Sequence, residues 1–124
     1  LWARDAALIE ALAASRRNTR YLPEAELPAN LALTADFAAA AQAGELALVV
    51  TPIAGLRPTL QRLLAERGAA LPPVLWACKG FEAGTGLLPH EVAAQVLEIF
   101  SRHGFGAARV IGTMQTGPAQ VQVQ

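Results

Sequence analysis

Two cations in this chain stand where a bound ligand would meet them. Arg4 follows Leu1-Trp2-Ala3 and precedes Asp5, which reads as the end of a β-strand, a basic residue at its tip and a helix cap. Lys79 follows Val74-Leu75-Trp76-Ala77-Cys78, a second apolar strand, and precedes Gly80. A guanidinium suits phosphate because its planar fork holds two oxygens at once. An ammonium suits a carbonyl oxygen on which negative charge develops, and a glycine beside it lets a ligand approach the backbone. At the second strand tip of a dinucleotide-binding unit, an acidic side chain takes the adenosine 2′-hydroxyl and a nearby Arg accommodates a 2′-phosphate. Each residue also has a plainer reading. Arg4 and Lys79 serve equally as solvated charges at strand ends, and Asp5 serves better as an N-cap than as a ribose ligand.

The elements that must position these side chains alternate in type. Helix formers with Leu8, Ile9 and Leu12 on one face predict a helix over residues 5–17, with Arg16 and Arg17 at its negative end. Pro23 and Pro28 make residues 18–30 a loop. Residues 31–34 form a short strand, and Thr34 or Asp36 caps an Ala-rich helix to Gln42 that Gly44 ends. Leu46-Ala47-Leu48-Val49-Val50 is an unbroken apolar run, as in a strand buried on both faces of a parallel sheet. Pro52 breaks that strand. Leu56, Leu60, Leu63 and Leu64 then recur at helical spacing up to Gly68. After the strand at 74–78 comes a Gly-containing loop over 81–88. Pro89 opens a helix over about 90–103 with Val92, Val96, Leu97 and Phe100 on one face. Arg109-Val110-Ile111 is a candidate third strand, and the Gln-rich tail, 115–124, has no assignment.

Strands alternating with helices predict an α/β fold with a parallel sheet and flanking helices. Ligands of such sheets lie beyond the carboxyl ends of the strands. Three strand ends therefore converge on one predicted crevice: Trp2-Ala3-Arg4, Val50-Thr51-Pro52 and Ala77-Cys78-Lys79-Gly80. The strand and Gly-rich turn that should precede Leu1 are not in the sequence, so the chain reads as an interior piece of a larger enzyme.

Composition narrows the function classes. The 53% apolar content supplies a core, and 124 residues make at most one domain. Ten basic and ten acidic residues cancel, which argues against a nucleic-acid surface or a basic membrane helix. Apolar runs are too short for a membrane span, and Arg4, Asp5 and Glu10 interrupt any signal-peptide core. Cys78 is the single cysteine, in keeping with a reducing, cytoplasmic compartment. It reads as a small buried hydrophobe. With His90 and His103 it offers no metal-ligand spacing, so no metal is expected. The two histidines lie at opposite ends of one helix and are not expected to be catalytic. Trp2 and Trp76 read as core residues.

Four segments in order carry a resemblance: Leu1-Trp2-Ala3-Arg4-Asp5, Arg17-Asn18-Thr19-Arg20-Tyr21-Leu22-Pro23, Leu48-Val49-Val50-Thr51-Pro52 and Trp76-Ala77-Cys78-Lys79-Gly80-Phe81-Glu82-Ala83-Gly84-Thr85-Gly86. Over residues 1–100 the chain resembles the amino-terminal domain of bacterial NAD(P)-dependent glycerol-3-phosphate dehydrogenase. That resemblance implies a partial Rossmann domain without its first strand and Gly-rich turn, and without the carboxy-terminal substrate domain. It implies interconversion of sn-glycerol 3-phosphate and dihydroxyacetone phosphate, for phospholipid synthesis, by a parent that is a cytoplasmic homodimer. The chain alone is expected to be inactive. The family's later Ser-Gly-Pro landmark has only Thr116-Gly117-Pro118 as a counterpart, so residues 101–124 receive no site.

The same resemblance implies roles for particular residues. Arg4 lies at the adenosine 2′-phosphate, which favours NADP(H) while leaving NAD(H) usable. Lys79 lies near nicotinamide and substrate as the catalytic candidate. Thr51 and Pro52 border the cofactor, and Tyr21 lies on its adenine side. Thr51-Pro52 reads equally as a turn that ends a strand, and Tyr21 equally as an aromatic anchor for its loop. Two alternatives remain at this point. One is a related Rossmann dehydrogenase acting on a hydroxy acid or ketopantoate, and the other is a non-catalytic α/β binding module.

Overall fold

The computed structural model describes residues 1–102. The chain forms two compact units, Leu1–Ala47 and a second that begins at Leu48. The predicted strand at 109–111, His103 and the tail lie outside the described residues.

In the first unit, helix α1 spans Ala6–Ser15. Asp5 caps it as predicted, its Oδ1 accepting from the Leu8 N–H at 3.2 Å. The helix ends two residues earlier than the sequence suggests. Arg16 turns into the left-handed region at φ 52°, and its N–H donates to the Leu12 carbonyl at 2.9 Å. The Arg16 guanidinium therefore leaves its own helix end and donates to the Leu31 and Pro28 carbonyls. Arg17 enters strand β1, Arg17–Asn18, which pairs antiparallel with β2, Leu22–Glu26. Residues 18–30 are thus not simply a loop. Pro23 is tolerated because this two-stranded ribbon offers it an edge position that needs no donor.

The predicted strand at 31–34 is only a parallel bridge between Trp2 and Thr34. Asp36, not Thr34, caps helix α2, Phe37–Gln42, accepting from the Ala38 and Ala39 N–H groups. Thr34 instead accepts from the Asp36 N–H. Ile9, Leu12, Phe37 and Ala41 are buried. Trp2 is half-buried, edge-on to Phe37 with ring centroids 4.9 Å apart, and its indole N–H reaches the Ala35 carbonyl.

In the second unit, β3 (Ala47–Val49) and β4 (Val74–Trp76) pair in a parallel sheet across helix α3, Ile53–Arg67. Helix α4, Pro89–Arg102, packs on α3. The predicted faces meet there: Leu56, Leu60 and Leu63 are buried, as are Val92, Ala93 and Val96. Glu91 in the first turn of α4 accepts from the Leu88 N–H at 2.8 Å, beside the positive end of the helix.

Burial of β3 on both faces does not hold. Val49 is buried, but its neighbours Leu48 and Val50 are 63% and 66% exposed. Successive side chains of a strand point to opposite faces, so Leu48 and Val50 share the exposed face of the strand.

Candidate functional site

Two candidate residues stand in the first unit. Arg4 is exposed just past the Trp2–Thr34 bridge and makes no hydrogen bond or ion pair among the described residues. Tyr21 is 63% exposed in the turn joining β1 to β2. The Arg20 guanidinium lies 5.1 Å from its ring centroid. Its ring is therefore presented outward rather than used as a packing anchor.

The second unit brings the ends of β3 and β4 together. The Ala77 N–H donates to the Val49 carbonyl at 2.9 Å, extending the sheet past β4. One step further on, the Thr51 hydroxyl lies 3.7 Å from the Cys78 sulfur. The Cys78 thiol faces the Val49 carbonyl at 3.9 Å. Cys78 is thus half-buried and weakly hydrogen-bonded rather than sealed in a core. Pro52 is the N-cap residue of α3, and its carbonyl accepts from Gly55 at 2.7 Å. A Cβ on Gly55 would meet Thr51 Cβ at 2.9 Å, so only glycine lets Thr51 pack this closely over the first turn.

Lys79 follows directly. It is exposed and makes no bond among the described residues. Gly80 adopts φ 95°, a conformation that L side chains rarely take, and turns the chain out of the strand. Thr51, Pro52, Cys78 and Lys79 thereby share one sheet edge. Arg4 and Tyr21 belong to the other unit.

Sequence reasoning missed the ion pair that holds the loop after Lys79. Arg57 Nε and Nη2 donate to the two carboxylate oxygens of Glu82, both at 2.8 Å. Arg57 also donates to Gln95 Oε1 on α4 at 2.8 Å. The Thr85 hydroxyl donates to Glu82 at 2.6 Å. The Glu82 side chain is only 12% exposed. Hydrogen bonds from Arg57 and Thr85 hold its carboxyl at about 2, well below the ordinary 4.5. Among the described residues no group of three or more His, Cys, Asp or Glu could hold a metal ion, and no helix is long and apolar enough to cross a membrane.

The family model for the N-terminus of NAD-dependent glycerol-3-phosphate dehydrogenase matches residues 1–105. A protein of Aromatoleum aromaticum named glycerol-3-phosphate dehydrogenase (NAD(P)+) is 56% identical over 104 residues, covering 84% of this chain and 31% of the relative. One of the same name from Thiobacillus denitrificans is 52% identical over 97 residues, covering 78% and 29%. The crystal structure of glycerol-3-phosphate dehydrogenase from Coxiella burnetii matches with a TM-score of 0.67 at 28% identity, over 78% of this chain and 29% of that one. The chain spans under a third of the length of these relatives. With the family model covering most of its length and its sheet joined by a helical crossover, the chain belongs to the N-terminal domain family of NAD-dependent glycerol-3-phosphate dehydrogenase.

Proposed function

We propose that this chain is the dinucleotide-binding part of an enzyme that reduces dihydroxyacetone phosphate to sn-glycerol 3-phosphate with NADPH, and with NADH less well. The observation that carries this reading is the shared edge of β3 and β4. There an exposed lysine directly follows Cys78, whose sulfur lies 3.7 Å from the Thr51 hydroxyl, and it makes no bond of its own among the described residues. The donor chemistry suits a nicotinamide dinucleotide. Arg4 is an open guanidinium beyond a strand end, and Gly80 keeps the backbone beside Lys79 free of a side chain.

In this reading Arg4 grips the adenosine 2′-phosphate through charge-assisted bonds. Tyr21 offers its ring to the adenine side, and Thr51 and Pro52 border the cofactor. When bound, the nicotinamide supplies the hydride. The ammonium of Lys79 stabilises the negative charge that develops on the substrate's carbonyl oxygen. In this reading Lys79 acts by its charge, and the proton that completes the alcohol is the task of another group of the full-length enzyme. Names of the relatives support the reaction and both nicotinamides. Cys78, free of a disulfide, supports a cytoplasmic location.

Arg4→Ala in the full-length protein tests the cofactor assignment. Loss of charge-assisted phosphate bonds is expected to weaken NADPH about tenfold and leave NADH within about twofold. Equal weakening of both, measured by fluorescence titration, refutes the role of Arg4. Absence of NADPH-dependent reduction of dihydroxyacetone phosphate refutes the reaction.

A further inference from the structure

Lys79 has an anchor on each side. One residue before it, Cys78 rests against the Thr51 hydroxyl and the Val49 carbonyl at the end of β3. After it, Gly80 turns the chain and Phe81 is 68% exposed, so neither fixes the backbone through side-chain packing. The next fixed point is Glu82. Its N–H donates to the Leu87 carbonyl and its carbonyl accepts from the Gly86 N–H, both at 2.8 Å, closing a six-residue turn. Its carboxylate is gripped at both oxygens by Arg57, which extends from α3 and also reaches Gln95 on α4. Helix α3 follows β3 through the short link Val50-Thr51-Pro52. The same helix thus governs the strand end before Lys79 and the turn after it.

We propose that Arg57 and Glu82 are positioning residues for Lys79. Their forked pair rivets the turn after Lys79 to the α3–α4 layer and so fixes where the ammonium stands over the β3–β4 edge. The inference rests on the catalytic reading of Lys79. Lys79 is held by no bond of its own among the described residues, so the two backbone anchors set its place. A lysine at position 57 would keep the charge and lose the planar fork, releasing one carboxylate oxygen. The pair remains ionised throughout the neutral range because Glu82 titrates far below it.

The test uses the full-length enzyme with Arg57→Lys, Glu82→Gln, Lys79→Ala and the double variant Arg57→Lys/Lys79→Ala. Misplacing a reacting group by an ångström costs about a hundredfold. Arg57→Lys and Glu82→Gln are each expected to lower kcat by about tenfold to a hundredfold while KM for NADPH stays within about twofold. On the Lys79→Ala background, Arg57→Lys is expected to add no further loss, since it acts through the lysine. Amide exchange of residues 80–88 should accelerate while α3 and α4 keep their protection. An unchanged kcat in both single variants, or a loss that multiplies with Lys79→Ala, overturns the proposal. So does loss of protection throughout α3 and α4, or failure of both variants to fold, because the pair would then serve stability alone. Lys79→Ala with undiminished kcat instead overturns the catalytic reading of Lys79.

Discussion

The two units bury apolar side chains by different means. The second is built on a helix pair: Leu56, Leu60 and Leu63 of α3 and Val92, Ala93 and Val96 of α4 are all buried. The first has two short helices, and much of its order comes from polar groups reaching across the chain. The Trp2 indole donates to the Ala35 carbonyl, and the Arg16 guanidinium to those of Leu31 and Pro28. Its hairpin strand β2 is exposed at all five residues. Burial is the larger and less directional source of stability, and hydrogen bonds that replace water contacts add less each. The contrast suits the proposed roles. In the proposed function Lys79 would act on a reacting atom and would need rigid support, whereas the roles proposed for Arg4 and Tyr21 are binding roles only.

The largest effect tests whether the second unit rests on its helix pair. Leu56 is fully buried. Leu56→Ala in the full-length protein removes that side chain and leaves a cavity, which is expected to cost about 2–5 kcal/mol. Native-state amide exchange should show the loss in α3 and α4. Equal loss in α1 and α2 would break the comparison, because the two units would then unfold as one.

A smaller effect tests the polar construction of the first unit. Arg16 holds a left-handed backbone and ties residues 28 and 31 to the end of α1. Arg16→Ala keeps the strained backbone and removes the charged donors, with an expected cost of about 1.5–3 kcal/mol. Exchange should quicken in α1 and in the segment around Pro28 to Leu31. If the loss is within the scatter of a surface substitution, about 0.5 kcal/mol, the guanidinium bonds merely replace water and the contrast weakens.

These residues also mark what the sequence made legible. Helical faces emerged from spacing alone, since Leu56, Leu60 and Leu63 repeat along one side despite Pro58 inside α3. Asp5 announced its cap because that signal is local. Lys79 stood out as a charge at the end of an apolar strand, and the structure sets the residue before it, Cys78, against Thr51. The hairpin was hidden because its register joins Arg17 to Glu26 across a turn, a pairing that Pro23 argues against unless it takes an edge position. Arg57 and Glu82 are 25 residues apart and on no common periodic face, so only tertiary structure reveals them. In the sequence Glu82 stands only as one residue of the segment from Trp76 to Gly86. Exposure of Leu48 and Val50 was equally invisible, because an apolar run shows capacity for burial and not what covers it.

The smallest effect separates the two units by acid. Hydrogen bonds from Arg57 and Thr85 hold the folded Glu82 carboxyl at about 2 against an ordinary 4.5. A carboxyl depressed by folding adds stability that is fully present above its unfolded value and is lost as pH falls through its folded one. The contribution of the Arg57–Glu82 pair should therefore be intact at neutral pH, begin to decline below about 4.5 and be gone near 2. In the first unit the ion pair between Arg17 and Glu26 is exposed on both sides, at 46% and 66%, where solvent screens it. Amide exchange across that window should thus open residues 80–88 before the β1–β2 hairpin shows any pH-dependent change of its own. Glu82→Gln removes the titrating group, so the variant's loop should exchange at a rate nearly independent of pH below 4.5 once the intrinsic chemistry of exchange is divided out. A loop that still opens in the variant over the same window would mean that another carboxyl carries the transition, and that the clamp beside Lys79 is not the acid-sensitive part of the second unit.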